Sequence, residues 1–171
     1  DTQHIYLHLY DFLAKIINSG FFDDKIEFEF LVVSFQGKNV NGIKNAISKE
    51  NDSYSTAIFS NCIFSTAHRF FYHWDSFQAR KIGCLIIDEA NLMYPDILSG
   101  ILTRAFSLWQ IKRIILVGDS RQLPSLRGGN ILSDLVTAFP DYCIPFTHNH
   151  RINDSHGLFN FIQAVKRMQP I

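Results

Sequence analysis

The hydrophobic residues of this chain fall into two alternating patterns, short continuous runs and runs that repeat every three or four positions. Continuous runs are typical of buried strands, and periodic runs are typical of amphipathic helices. Strands are predicted at residues 26–34, 57–64, 82–88, 113–118 and 143–146. Helices are predicted at residues 5–17, 40–47, 95–106, 130–139 and 158–165, with a turn at 35–38 and polar loops at 49–56 and 147–155. This alternation predicts an α/β fold, a parallel sheet with helices on both faces.

Two of the predicted helices carry recognisable start signals. Pro95 suits the first turn of a helix, and the side chain of Asn130 can cap one. The buried face of the first helix is expected to contain Ile97, Leu98, Ile101, Leu102, Ala105 and Phe106. The buried face of the second is expected to contain Ile131, Leu132, Leu135, Val136 and Phe139.

The composition indicates one globular domain of 171 residues, with 47% apolar and 19% charged residues. The formal net charge is zero, so nucleic acid binding would have to rely on a local basic groove. Three cysteines, none closely spaced, predict buried reduced thiols and an intracellular protein. No apolar run approaches the length of a membrane span, so a membrane is not an expected partner.

Two adjacent carboxylates, Asp88 and Glu89, follow the apolar run that begins at Ile82. Ligands of open parallel sheets bind at the carboxyl ends of the strands. A carboxylate pair there suits a magnesium–phosphate site, in which one acid holds the ion and the other orients or deprotonates a water. The alternative is a strand that ends in a solvated acidic turn.

Polar residues also follow two later predicted strands. Gly118-Asp119 ends one of them, and Gln122 could orient a water or contact a terminal phosphate oxygen. Arg151 follows the last predicted strand and could neutralise phosphate charge as an arginine finger does. Each could equally belong to a surface loop. His148 and His150 are a poor metal pair because no third ligand is evident.

The segment Ser65 to Tyr72 combines small hydroxyls, an imidazole, a guanidinium and aromatic rings. Such a mixture can bind a backbone phosphate and stack on bases. Core aromatics beside a polar turn would look the same, so this segment is a weak signal when it is considered alone.

In this order, the motifs resemble those of superfamily 1 DNA helicases, in particular the RecD-like branch. Residues 85–90 resemble the Walker B motif, residues 118–124 resemble the third motif, and residues 149–151 resemble the fourth. Residues 34–40 resemble motif Ia, and residues 65–70 resemble the Thr-x-His-Arg segment. The resemblance covers nearly all of the chain, and the third motif is its most specific part.

The resemblance implies a RecA-like motor domain that uses ATP and Mg²⁺. Asp88 would help to hold magnesium, and Glu89 would be the general base for the water that attacks the γ-phosphate. Asp119 and Gln122 would link the phosphate state to the grip on DNA, and Arg151 would stabilise the transferring phosphoryl group.

The resemblance also implies single-stranded DNA as the partner. The contacts would come from the motif Ia and Thr-x-His-Arg segments, at Gln36, Gly37, Lys38, Thr66, His68 and Arg69. Replication or repair proteins are the further partners that such a helicase implies, and its location would be the nucleus in a eukaryote and the cytoplasm otherwise.

The family's P-loop, Gly-x-x-x-x-Gly-Lys-Ser/Thr, is missing from the sequence. Residues 1–150 are therefore expected to be a motor domain truncated after its P-loop, and inactive alone, with residues 151–171 beginning the link to a second motor domain. A vestigial domain that serves as a protein-binding scaffold and an RNA-directed helicase are the alternatives. Ser34-Phe35 also replaces the usual Ala-Pro of motif Ia, and Gln36 replaces its Thr.

Overall fold

A computed structural model describes residues 28–50, 60–108, 111–120, 122 and 128–145 of the chain. Its strands are β1 (Glu29–Ser34), β2 (Cys62–Thr66), β3 (Ile82–Asp88) and β4 (Arg113–Leu116). Its α-helices are α1 (Gly37–Glu50), α2 (Ala67–Tyr72), α3 (Pro95–Leu108) and α4 (Ile131–Ala138). Single 3₁₀ turns lie at Trp74–Phe77, Ala90–Leu92 and Pro140–Tyr142. The helices predicted at residues 5–17 and 158–165 lie outside the described residues.

The described strands form one parallel sheet in the order β2-β1-β3-β4. Parallel neighbours need crossover connections, and in this chain α1 and α3 lie within two of them. β1 is central because it pairs with β2 on one side and with β3 on the other. This arrangement confirms the predicted α/β class.

β3 supplies the middle of the core, since all seven of its residues are buried. Leu85 and Ile87 belong to an apolar cluster with Phe70 of α2 and with Ile101 and Ala105 of α3. Burial of one such side chain stabilises the fold by about 1.5–3 kcal/mol. The continuous apolar sequence of β3 is thus explained by burial of both of its faces.

Helices α2 and α3 lie in direct contact. A Cβ atom added to Gly100 of α3 would overlap the ring of Phe71 of α2. The guanidinium of Arg104, one turn further along α3, lies over the same ring at 4.2 Å from its centroid. The side-chain-free position at residue 100 therefore allows the aromatic end of α2 to pack on α3.

Cys62 and Cys84 are buried free thiols, as predicted, and Cys143 is a free, half-buried thiol. Burial is the main cause that raises the pKa of Cys62 to about 12 and that of Cys84 to about 11. Both groups are therefore protonated at neutral pH and behave as small apolar residues.

Several predicted boundaries were wrong. Residues 60 and 61, predicted as strand, are helical, and β2 begins at Cys62, which pairs with Phe30 near the start of β1; the first predicted positions, 57–59, lie outside the described residues. The predicted turn is limited to residues 35–36, since the amides of Asn39 and Val40 already bond to the carbonyl of Gln36. Helix α1 then continues to Glu50, into the region predicted as a loop.

The strand predicted at 143–146 is also incorrect, because residues 143–145 have no regular structure. The amide of Cys143 instead donates to the carbonyl of Pro140 and closes a 3₁₀ turn. β4 is shorter than predicted and only half-buried. Three positions assigned to buried helix faces are exposed, namely Phe106, Val136 and Phe139. Phe139 lies beyond the end of α4, and Phe106 and Val136 are not among the residues of their helices that join the apolar core.

Within the described part of the chain, no helix combines the length and the apolar character that crossing a membrane requires.

The packing of α3 on the sheet predicts a large difference between two alanine substitutions on this helix. Ile101→Ala removes a fully buried side chain and should lower the free energy of unfolding by about 2–5 kcal/mol. Thr103→Ala changes an exposed residue two positions away and should change it by less than about 0.5 kcal/mol. Urea unfolding measures both, and equal effects of the two substitutions would contradict the described packing.

Candidate active site

Three strand ends meet at the carboxyl edge of the sheet. Ser34, the last residue of β1, is paired with Thr66 of β2 and with Asp88 of β3. The chain after β4 joins them, since the amide of Val117 donates to the carbonyl of Ile87 at 2.8 Å. The parallel register therefore brings the predicted carboxylate pair next to the start of the motif Ia segment.

The carboxyl group of Asp88 is buried, with 6% of the residue exposed. Its pKa rises from the usual 3.8 to about 6, mainly because of burial and secondarily because of the negative charge of Glu89. The backbone amide of Glu89 and the nearby Ser34 hydroxyl oppose this rise. The folded protein therefore stabilises the anion of Asp88 poorly, and a bound cation would relieve this cost.

Three buried side-chain atoms at this edge make no hydrogen bond of acceptable geometry in the described part of the chain. They are Ser34 Oγ, Glu89 Oε2 and Asn91 Nδ2. A buried polar group without a partner costs about 1–3 kcal/mol. Ser34 is paired with Asp88, and Glu89 and Asn91 lie within three residues after it, so the three atoms indicate a site that could receive polar groups from outside the chain.

The backbone of Glu89 adds a further sign of strain. Its φ of 53° and ψ of 44° are left-handed, and no other non-glycine residue in the described ranges has a positive φ. The conformation reverses the chain immediately after β3, and the amide of Leu92 donates back to the carbonyl of Glu89 at 2.9 Å. Such strain at a non-glycine residue is characteristic of functional positions.

The loop after β4 packs directly on this turn. The amide of Ala90 donates to the carbonyl of Val117 at 2.9 Å. A Cβ atom at Gly118 would lie 2.8 Å from Asn91 Oδ1 and 3.2 Å from the amide nitrogen of Ala90. Gly118 is therefore required by close approach, and it joins the Walker B-like turn to the predicted third motif.

The third motif continues in a turn in which the amide of Gln122 donates to the carbonyl of Asp119 at 3.1 Å. The amide side chain of Asn130 donates to the carbonyl of Ser120 at 3.3 Å and accepts from the amide of Ser133. Asn130 thus caps α4, as predicted, and also ties the motif to this helix.

Asn91 is a site residue that sequence reasoning missed. It is 4% exposed, and its amide group lies between the carboxylate turn and Gly118. The available signal was a polar residue between two apolar ones, Ala90 and Leu92, directly after the carboxylates.

The predicted DNA contacts lie at the carboxyl ends of β1 and β2. A Cβ atom at Gly37 would lie 3.7 Å from Cγ2 of Thr66, so the two segments are neighbours. The side chains of Gln36, Lys38, His68 and Arg69 are exposed. The hydroxyl of Thr66 accepts from the amide of Arg69 at 3.2 Å and thereby caps α2, so Thr66 has a structural role whether or not it binds DNA.

Arg151, with His148 and His150, lies outside the described residues. In the ranges that are described, no three His, Cys, Asp or Glu side chains form a cluster able to hold a metal ion. The donor set at the carboxyl edge, one buried carboxylate with a second beside it, nevertheless suits Mg²⁺. This ion is bound by one or two carboxylates and completes its shell with waters and phosphate oxygens.

Comparison with known proteins defines the class of protein. Residues 53–167 match the sequence model of a protein family described as AAA domain, which spans more than half of the chain. The chain therefore belongs to the AAA domain family. With its parallel sheet, it is a RecA-like α/β domain of the kind found in superfamily 1 helicases, as the sequence motifs predicted.

The chain is also similar to DNA helicase B of Mus musculus, with 26% identity over 109 residues. This match covers 58% of the chain and 10% of the mouse protein. It agrees with the motifs within residues 118–135 and 147–151, which most resemble eukaryotic DNA helicase B. Because the chain spans about a tenth of this relative's length, the activity and partners of a whole protein are a matter of proposal.

The raised pKa of Asp88 predicts a pH-dependent effect of Asp88→Asn. Between about pH 4 and pH 6 the unfolded chain loses a proton that the folded chain retains, so the wild-type protein loses stability as the pH rises. The rise in pKa corresponds to about 3 kcal/mol at most. Asp88→Asn should therefore unfold at higher urea concentration than the wild type at pH 8.

At about pH 3 the difference between the two proteins should nearly vanish, because the wild-type carboxyl is then largely protonated in both the folded and the unfolded state. Comparing the two proteins at each pH removes the contribution of the other titrating groups. Equal stabilities at both pH values would contradict a buried, uncompensated Asp88.

Proposed function

We propose that this chain is the hydrolytic part of an ATP-dependent DNA helicase motor that moves on single-stranded DNA. The observation that supports the proposal most directly is the pair of the buried Asp88 and the half-buried Glu89 at the carboxyl edge of the sheet, with Glu89 Oε2 unpartnered among the described residues. Its attachment to the loop at Gly118 supplies a physical connection between the carboxylates and the third motif.

In this proposal Asp88 would hold Mg²⁺, directly or through a water. The ion, when bound, would neutralise negative charge on the phosphate oxygens. Ser34, paired with Asp88 across the sheet, offers a hydroxyl to the same ligand shell. The raised pKa of Asp88 fits this role, because burial disfavours its anion more than the Glu89 amide and the Ser34 hydroxyl stabilise it.

Glu89 is proposed to be the general base. Its left-handed backbone turns it away from the strand direction, and its free Oε2 can accept a proton from a water. Asp119 and Gln122 would sense the terminal phosphate from the adjoining loop, and Arg151 would neutralise charge that develops on the transferring group. Movement of the loop at Gly118 would be transmitted to the carboxylate turn through the bond between Ala90 and Val117.

The DNA would cross the carboxyl ends of β1 and β2, where Gln36, Lys38, His68 and Arg69 are exposed. Cationic side chains there would bind backbone phosphates. Residues 1–150 would form the motor domain and residues 151–171 would begin the link to a second one. A role in replication or repair, in the nucleus of a eukaryote, follows from the same proposal.

One observation favours the scaffold alternative. Residues 1–171 contain no P-loop sequence. A motor would have to obtain its phosphate cradle from residues outside this chain. The sequence that precedes Asp1 in the parent protein discriminates: a Gly-Lys-Thr loop there supports the motor, and its absence supports the scaffold.

For the motor we predict that Glu89→Gln in the parent protein abolishes ATP turnover but largely preserves nucleotide binding. The substitution removes the basic oxygen and keeps the size of the side chain, so the loss of rate should be about 10²-fold or more. Asp141→Asn, at an exposed position in another turn, is the control and should leave turnover unchanged. Turnover by Glu89→Gln near the wild-type rate would show that another group acts as the base.

A second prediction concerns the 171-residue chain by itself. Without a P-loop sequence it should hydrolyse ATP little or not at all, with or without added DNA. Phosphate release by the purified chain is the measurement. Rapid turnover that co-purifies with the chain and is lost in Glu89→Gln would contradict this expectation.

Stimulation of the parent protein's ATPase by nucleic acid distinguishes a DNA-directed motor from an RNA-directed one. Single-stranded DNA should stimulate turnover more strongly than RNA of the same length and base composition. Stronger stimulation by RNA would favour the RNA-directed alternative.

A further inference from the structure

Four aromatic rings from three parts of the chain meet beside the exposed basic residues. Phe35 follows β1, His68 and Tyr72 belong to α2, and Tyr94 precedes α3. The ring of Phe35 lies 5.5 Å from that of His68 and 5.2 Å from that of Tyr94, measured between centroids. His68 and Tyr94 are 6.4 Å apart. We call these four residues the aromatic cluster.

The four rings of the aromatic cluster differ in exposure, from half-buried beside the core to largely exposed at the surface. Phe35 and Tyr94 are half-buried and adjoin the core, whereas His68 is exposed and Tyr72 is 66% exposed. The rings of His68 and Tyr72 are nearly parallel, with an interplanar angle of 20° and centroids 6.5 Å apart. Phe71 contacts the ring of Tyr72 edge-on at 4.9 Å. The inner rings thus support an outer ring that remains largely open to solvent.

Exposed cationic residues lie on the two segments next to the outer ring, with the acidic Asp75 in the turn that follows α2. Arg69 follows His68 directly, and Lys38 lies in the first turn of α1, which adjoins Thr66 at the start of α2. Both side chains are exposed although the chain as a whole has no net charge. An exposed aromatic face beside cationic groups has the chemistry of a surface for single-stranded nucleic acid, in which bases stack and phosphates pair with cations.

Phe35 stands where superfamily 1 helicases have proline in motif Ia. In the structure the substituted ring touches both His68 and Tyr94, so it supports the cluster from beneath. The departure therefore supplies an aromatic base for a stacking surface.

We propose that Tyr72, supported by His68 and Phe35, stacks on a nucleobase of single-stranded DNA. This inference depends on the proposed DNA-binding function and adds to it a residue outside the motif positions. Stacking explains why a large apolar ring is 66% exposed next to basic side chains. It also assigns the base contacts and the phosphate contacts to different residues, Tyr72 for the former and Arg69 for the latter.

The test compares two oligonucleotides of equal length, oligo(dT) and one with abasic sites throughout, so that only the first has bases. Binding to the purified 171-residue chain is followed by fluorescence anisotropy at low salt. The wild type should bind oligo(dT) about tenfold more tightly than the abasic strand. Tyr72→Ala should bind oligo(dT) about as weakly as the abasic strand, and its affinity for the abasic strand should not change.

Three further variants separate stacking from other effects. Tyr72→Phe should retain the preference for bases, because stacking needs the ring and not the hydroxyl. Tyr142→Ala removes another exposed tyrosine, 88% exposed in the turn after α4, and should change nothing. Arg69→Ala should weaken binding of both strands by similar factors, because it removes a phosphate contact.

Equal binding of the two strands by the wild type, or an unchanged preference in Tyr72→Ala, would overturn the stacking role and leave DNA binding itself standing. The absence of binding to either strand would contradict the proposed function and this inference together. An oligo(rU) strand that binds more tightly than oligo(dT), with a loss in Tyr72→Ala, would support stacking and assign the surface to RNA.

Discussion

The pairing of β1 with two parallel neighbours is the constraint on which the rest of the described structure depends. It fixes Ser34 opposite both Thr66 and Asp88, and so determines which side chains lie at the carboxyl edge of the sheet. A register slip of one residue would turn every side chain of a strand to its other face. Since β3 is buried on both faces, slippage would bury different polar groups and lose the matched apolar contacts. The stability of the core and the position of the carboxylates therefore have the same cause.

The carboxylate turn concentrates several unfavourable features within a few residues. Asp88 is an anion that burial destabilises, Glu89 has a left-handed backbone, and three nearby polar atoms make no hydrogen bond of acceptable geometry within the described residues. The surrounding apolar packing must offset this cost, which is why the turn lies at the end of the most buried strand. Gly118 contributes by allowing the neighbouring loop to close over the turn without a side chain in the contact. A concentration of energetically unfavourable features in a few residues is typical of functional sites.

The sequence predicted the class of fold and the central strand well, for identifiable reasons. Residues 82–88 are continuously apolar and end in a carboxylate, so both the span of β3 and its orientation toward the site could be predicted. The starts of β2 and α1 could not be predicted from the sequence. The start of β2 depends on its pairing with β1, and that of α1 depends on hydrogen bonds to the carbonyl of Gln36. The exposure of Phe106 and Phe139 could not be predicted either. Periodicity identifies an apolar stripe but does not show how much of it another element covers.

Within the site, sequence reasoning identified Asp88, Glu89 and the segment that carries His68 and Tyr72, but not the amide of Asn91 or the contacts of Phe35 and Tyr94 with that segment. Motif spacing identifies residue types along the chain, whereas both of these depend on contacts between separate segments. Two of the three substituted positions in motif Ia show how closely the proposed nucleotide site and the aromatic cluster adjoin. Ser34 lies against Asp88, and the next residue, Phe35, enters the aromatic cluster. One peptide unit thus joins the proposed nucleotide site to the proposed stacking surface. Because Ser34 is held by strand pairing on both sides, a displacement of the carboxylate turn would be transmitted to Phe35 through the backbone of β1, and through Phe35 to the rings that support Tyr72.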